Sequence, residues 1–252
     1  MTLQTKRSKG LFMSTDYDTI EQLRTMYPKK LTGFPWSGIA EAESTGLQSE
    51  NDELIRVVKE IEENNDKESI NIIDFGGGRG THYQTILQAD IEKPINYCIV
   101  DLLMNPGNDV VYLKEEQLST IYKNKLQAID SETLRTFPNY DVDLFFSRTS
   151  LQYSDNLPRL FNLINNDIQP TCVLLQRTSC ASQSFVGIQL FADSHSCGYH
   201  FLNPDYPAKA LSNYVSLYND MGDTVFNPPL DNVRQVTNLC IRNMLFIRSV
   251  SI

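Results

Sequence analysis

Apolar positions along this chain switch between two periods, and the switching itself predicts the architecture. Leu54, Ile55, Val57, Val58 and Ile61 recur at helical spacing on one face. Ser49 with Asp52 three residues later resembles a capping box with Asp in the usual Glu place, and Asn64-Asn65-Asp66 reads as the stop. A strand-like run, Ile70 to Asp74, follows at once, and then a glycine-rich turn and a helix from Thr81 carrying Tyr83, Ile86 and Leu87. Further strands are predicted at Tyr97–Asp101, near Leu126–Ile129, at Val142–Phe146 and at Cys172–Leu175. A helix from Asp155 has Pro158 in its first turn and turns Leu160, Phe161 and Ile164 inward. The tail from Leu239 to Ile252 holds two strand-like pieces and suits an antiparallel hairpin at a sheet edge.

Strands that alternate with helices mean crossover connections and a mostly parallel sheet. The fold class is therefore α/β and Rossmann-like, with a seven-stranded sheet, an antiparallel edge strand and an N-terminal helical cap. Residues 1–48 form an arm and cap segment, and 49–252 form the main domain. An acceptor-loop insertion is expected at about 178–210. The cap segment contains Pro28, Pro35 and the only tryptophan, Trp36.

Composition narrows the function classes. The chain has 252 residues, long enough for one large core, and a net charge of −9. Its basic residues form no block beyond Lys6–Lys9 and Lys29-Lys30, which argues against a nucleic-acid backbone as partner. No run of about 18 apolar residues exists, so no membrane-spanning helix is expected, and no apolar run follows the early charges as in a signal peptide. The five cysteines are odd in number and lack a Cys-x-x-Cys pair. They suit buried thiols in a reducing cytoplasm, with no metal site.

The chemistry concentrates in Asp74-Phe75-Gly76-Gly77-Gly78-Arg79-Gly80, where a strand gives way to a helix. Ligands of open parallel sheets bind beyond the carboxyl ends of the strands. A phosphate P-loop is excluded because no lysine follows in register. A dinucleotide fingerprint fits at Gly76 and Gly78, but its third place is Thr81. S-adenosyl-L-methionine carries an ammonium, a sulfonium and a ribose rather than a phosphate, so an acid beside the glycines favours it. Asp74, Gly76, Gly77, Gly78 and Gly80 are thus the candidate cofactor residues. Asp101 ends the second strand, where a carboxylate can accept from two ribose hydroxyls of either a methyl donor or a nicotinamide cofactor. Asp130 is a candidate for the adenine amino group, or else a solvated loop acid. Gln152 is a candidate cofactor residue, lining with Tyr153 the cofactor pocket or the acceptor entrance.

With these residues placed, the chain resembles class I S-adenosylmethionine-dependent methyltransferases. More narrowly it resembles a bacterial group associated with surface-polysaccharide gene clusters, the LIC12133-type family. Phe34-Pro35-Trp36-Ser37, Ser44-Thr45-Gly46-Leu47, the Asp74–Tyr83 segment, Ser150-Leu151-Gln152-Tyr153 and Gln176-Arg177-Thr178 carry the resemblance, together with Gln189 and Tyr206-Pro207. It spans roughly residues 34 to 220. It implies a glycan-related acceptor, with Phe191–Pro204 departing from the pattern.

Methyl transfer to a hydroxyl is an in-line displacement that gains from alignment and from a base. The candidate bases are His82, His195 and His200. Tyr153, Arg177 and Trp36 are candidate acceptor contacts, Arg177 for an acidic or phosphorylated group and Trp36 as a cover or a stacking ring. The alternatives are N- or carboxyl-methylation of a small metabolite, or a non-catalytic S-adenosylmethionine-binding protein. Nothing in the sequence sets the oligomeric state.

Overall fold

The computed structural model describes residues 11–14, 18–26, 48–77, 80–100, 125–129, 141–154, 156–190, 196–221, 230–231 and 239–249. Two sheets organise them. The larger has seven strands: β2 (Ile70–Phe75), β3 (Ile95–Val100), β4 (Lys125–Ile129), β5 (Leu144–Arg148), β6 (Cys172–Cys180), β9 (Tyr214–Met221) and β11 (Cys240–Arg248). Their spatial order is β4-β3-β2-β5-β6-β11-β9. The smaller sheet joins β1 (Leu11–Ser14), β7 (Phe185–Leu190), β8 (Ser196–Phe201) and β10 (Leu230–Asp231) in the order β10-β1-β7-β8.

In the large sheet the pairs β4/β3, β3/β2, β2/β5 and β5/β6 are parallel. The chain leaves β2 in one direction through β3 and β4, then crosses back to β5 on the other side. That reversal creates a switch point between β2 and β5, where open α/β sheets hold their ligands. The antiparallel member is β11, which pairs with both β6 and β9. The expected antiparallel strand therefore lies one place in from the margin, and β9 forms the edge. The tail is a single nine-residue strand rather than a hairpin, because Ile241, Met244, Leu245 and Phe246 are all buried between neighbours.

The central strands are apolar on both faces because helices cover both. On one face, α2 (Gln48–Asn64) and α3 (Thr81–Leu87) bury Leu54, Val57, Val58, Ile61, Tyr83 and Ile86 against Ile70, Ile72, Tyr97, Ile99 and Leu144. On the other, α4 (Leu157–Asn162) continues as a π-helical turn over Leu163–Ile168. Leu157, Leu160, Phe161 and Ile164 there pack on Phe145, Val173, Leu175 and Phe246. The cap of α4 is Asn156, whose side chain accepts from Arg159 N at 3.1 Å, and Pro158 sits in the first turn. The capping box expected at Ser49 and Asp52 does not form. The helix already starts at Gln48, and Gln48 Nε2 donates to Asp52 Oδ1 at 2.7 Å.

The small sheet grows from the segment expected to be loops, because β6 runs on to Cys180 and is followed by the β7/β8 hairpin. Helix α1 (Ile20–Met26) covers it, with Ile20 and Leu23 buried on Val186 and Ile188. Cys98, Cys172 and Cys180 are buried, and Cys197 and Cys240 are partly so. Burial pushes the first three thiols up, to about 12, 11 and 12 respectively. No helix among the described residues is long and apolar enough to cross a membrane.

Candidate functional site at the switch point

The end of β2 turns at Gly76, whose N–H donates to Val100 O at 2.7 Å and so ties the turn to the end of β3. Gly76 has φ +79°, and a Cβ there would lie 2.0 Å from Ser150 Cβ. Both the backbone conformation and the space exclude any other residue. Ser150 follows β5, and its hydroxyl has Gly76 O at 3.2 Å and Arg148 O at 3.0 Å as acceptors. The loops of β2 and β5 are thereby locked together across the switch point. A Cβ on Gly77 would meet the Asp74 carboxylate at 2.4 Å. Gly80 caps α3, and its N–H donates to Gly77 O at 2.9 Å.

Asp74 is fully buried beneath this turn. Its Oδ2 accepts from the Tyr97 hydroxyl at 2.7 Å and faces His82 Nδ1 at 3.0 Å. Burial, then the Asp74 charge, push the Tyr97 phenol well up, so it remains a neutral donor. A carboxylate facing Nδ1 selects the tautomer that donates from that nitrogen and leaves Nε2 as acceptor. His82 is further held edge-on to Phe146, with ring centroids 5.0 Å apart. Asp74 Oδ1 has no partner among the described residues.

A second buried cluster sits where α2 meets the ends of β5 and β6. The Arg148 guanidinium donates to Gln176 Oε1 (2.8 Å), Asn51 Oδ1 (2.7 Å) and Glu50 O (3.0 Å), and lies 5.5 Å from the centre of the Phe146 ring. Burial pulls its pKa down, while the charges of Glu50 and Asp74 oppose that pull. Gln176 in turn donates to Glu50 O and to Glu53 Oε2, which fixes the first turn of α2 against the sheet. Glu50 is buried, and its Oε2 has no partner among the described residues.

The sequence-predicted residues divide as follows. Asp74, Gly76, Gly77, Gly80 and His82 meet at the end of β2. Gln152 and Tyr153 follow β5 in a 3-10 turn (Leu151–Tyr153) against the small sheet. Arg177 stands apart from them in a bulge of β6, at φ +54°, with its N–H on Asn243 Oδ1 and its Nε 3.8 Å from Glu50. That contact pairs Arg177 with an acid of α2. His200 is buried, and its Nε2 donates to Ser154 O at 3.0 Å. Burial lowers its pKa to about 4, and its Nε2 proton is held by that carbonyl. Gly78, Asp101, Asp130, His195 and Trp36 lie outside the described residues.

Sequence reading missed Arg148, Tyr97, Ser150 and Glu50. One signal for Arg148 was available: a cation closing a largely apolar strand must find partners, and they sit at the site end of the sheet.

The sequence matches no protein-family model and no curated protein. In three dimensions the chain is similar to the Burkholderia thailandensis 1,6-didemethyltoxoflavin-N1-methyltransferase, in a crystal structure with bound 1,6-didemethyltoxoflavin and S-adenosylhomocysteine. The TM-score is 0.50 and the identity 13%, over 86% of this chain and 92% of that one. It is equally similar to the N-terminal domain of EvdMO1, crystallised in the presence of S-adenosylhomocysteine and D-fucose. There the TM-score is 0.50 and the identity 11%, over 91% and 96%. The fold is that of the class I S-adenosylmethionine-dependent methyltransferases. In this methyltransferase fold, Asp74 and the glycine turn stand at the end of β2, and Ser150 faces them from the end of the adjacent β5.

Proposed function

We propose that this chain is an S-adenosylmethionine-dependent methyltransferase that O-methylates a sugar or another small hydroxylated acceptor. The observation that carries the reading is Asp74: a fully buried acid, under a turn where Gly76 and Gly77 leave no room for a side chain, with one oxygen that has no partner among the described residues. A buried acceptor oxygen in that state is costly unless a ligand completes it. A cationic, phosphate-free nucleoside suits an acid beside a glycine cradle, whereas a pyrophosphate would be repelled. Asp101, at the end of β3, is the proposed holder of the ribose diol, with Asp130 toward the adenine and Gly78 completing the cradle.

The methyl donor supplies a carbon already activated by a sulfonium. The protein then has to hold, align and exclude water. Gly76 and Gly77 give close backbone approach, and Ser150 fixes the loop across from them. Among the described histidines, His82 is the one arranged to take a proton, since Asp74 holds its Nδ1–H and leaves Nε2 as acceptor. His195 and Trp36 remain proposed as acceptor-side residues. The resemblance to a surface-polysaccharide group, and the sugar present with EvdMO1, support a glycan-type acceptor.

Calorimetric titration with S-adenosylhomocysteine and with NAD tests the reading. Binding of the first and not the second is expected. Asp74→Asn keeps the shape but removes the charge, and should weaken S-adenosylhomocysteine by at least about tenfold. His82→Gln should lower turnover more than it lowers that affinity. Preference for NAD, or an undiminished affinity in Asp74→Asn, would falsify the proposal.

A further inference from the structure

Two of the five cysteines meet where the two sheets join. Cys180 is the last residue of β6 and Cys240 the first of β11, and the antiparallel register sets them directly opposite each other. Residues so placed project from the same face of a sheet. Both side chains accordingly belong to one apolar cluster, with Cys180 buried and Cys240 partly so. Backbone bonds fix the kind of pair. Leu202 N–H donates to Ser179 O at 3.0 Å, and Ala181 N–H donates to Leu202 O at 2.8 Å. The groups on either side of Cys180 therefore face the chain returning from the small sheet, and the N–H and C=O of Cys180 itself face Cys240.

Opposed residues of that kind have Cα atoms about 5.5 Å apart, inside the range of about 4.4–6.8 Å that disulfides span. Their Cβ atoms stand about 5 Å apart and have to close to about 4 Å for a bond. Both cysteines are terminal residues of their strands, where the ladder restrains that movement least. A bond closed against such resistance is of the readily reduced kind. Burial pushes the Cys180 thiol up to about 12; Cys240 adds to the rise, and the Arg242 charge opposes it. Arg242 stands two residues along β11 on the same face, and its buried Nε has no hydrogen-bond partner among the described residues. A cation beside a thiol favours the thiolate.

We propose that Cys180 and Cys240 form a reversible redox site, which a small disulfide such as oxidised glutathione converts to a cross-strand disulfide that staples the junction of the two sheets. The partly exposed Cys240 meets the oxidant first. Its thiolate attacks one sulfur of the small disulfide, forming a mixed disulfide and releasing one small thiol. The Cys180 thiolate then attacks the Cys240 sulfur. The bond to the second small thiol breaks, and that thiol leaves with the proton lost by Cys180. Two protein thiols lose two electrons, and one small disulfide gains them and becomes two thiols. Burial makes the second step the slow one, and Arg242 speeds it. The bond pins the point where β6 leaves the large sheet for the β7/β8 hairpin.

Incubation of the whole protein with oxidised glutathione, then alkylation and peptide mapping without reductant, tests the site. The folded parent should lose two of its five free thiols and yield one linked peptide, Cys180 to Cys240, which dithiothreitol releases. The same oxidation in urea should scatter the links among all five cysteines. Cys180→Ser should stop at the Cys240 adduct. Cys240→Ser, at the less buried position, should leave Cys180 unmodified and serves as control where Cys180→Ser fails to fold. Arg242→Met should slow closure at least about threefold, and Arg242→Lys should stay within about twofold of the parent. In the oxidised parent, the amide hydrogens of Ala181 and Leu202 should exchange at least about fivefold more slowly. A parent that stops at the Cys240 adduct, a different linked pair, or the same mixture of pairs folded and in urea overturns the site. Unslowed exchange at those two amides overturns the staple, and parental closure in Arg242→Met overturns the part given to Arg242.

Discussion

Three histidines were equal candidates by residue type, and partners separate the two that are described. His82 and His200 each meet an oxygen at 3.0 Å, but the oxygens differ. His82 faces a buried carboxylate through Nδ1. His200 gives its proton to the Ser154 carbonyl within a buried site that disfavours charge. Its pKa falls from 6.5 to about 4 on folding, so the unfolded chain binds the proton first. Stability is fully present above pH 6.5 and is lost as pH falls toward 4. At pH 5 the loss from this one group should be about 2 kcal/mol. Urea unfolding of the parent and of His200→Gln at pH 7 and pH 5 measures it. The parent should lose that much more than the variant, whose glutamine can still donate to the carbonyl. Equal losses would mean that His200 is not held neutral by burial.

At the scale of elements, legibility followed burial. Strands β2, β3 and β5 are buried and largely apolar, and they emerge from the sequence within about two residues of their observed ends, whereas β6 is legible only over Cys172–Leu175 and its polar continuation to Cys180 is not. Strands β7, β8 and β9 mix glycine, tyrosine, asparagine and serine with single apolar residues, so neither period dominates. In β9, Val215 and Leu217 are 57% and 54% exposed, the reverse of the pattern that marks a core strand. The helix after β5 was legible through Pro158, and its cap became visible only in place. Asn156 accepts from Arg159 N and also donates to Glu21 Oε2 of α1 at 3.0 Å. Asn156→Ala removes a cap and one tie between helices, and should cost about 1 kcal/mol in thermal unfolding. A change below a few tenths would show that solvent replaces the cap.

Considered whole, the molecule separates function from stability along the strand axis. The glycine turn, Asp74 and Gln152 lie at the carboxyl ends of the parallel strands, whose position the sequence pattern alone places. At the opposite ends, a buried acid does a different task. Asp143, just before β5, accepts from Lys67 Nζ at 2.7 Å, from Asn65 Nδ2 at 3.1 Å and from Asn71 N at 2.8 Å. It stitches the start of β5 to the start of β2, and no motif marks it, because its partners are 72 to 78 residues away in the chain. Both Asp74 and Asp143 are buried aspartates on adjacent strands, but only Asp143 has both oxygens engaged within the protein. Removing it leaves the Asn65 and Asn71 donors without that acceptor, while Lys67 keeps Asp141 Oδ2 at 2.8 Å. Lys67 is about one-third exposed and can turn to water, so the cost of Asp143→Ala should lie near 2–4 kcal/mol rather than higher. The affinity of the folded variant for S-adenosylhomocysteine should stay within about twofold, since additivity holds for distant sites. Asp74→Asn should show the converse, with little loss of fold and a large loss of affinity. Urea midpoints and calorimetric titrations of the two variants decide it. If Asp143→Ala weakens the ligand as much as Asp74→Asn does, the two ends of the sheet are coupled and the separation fails.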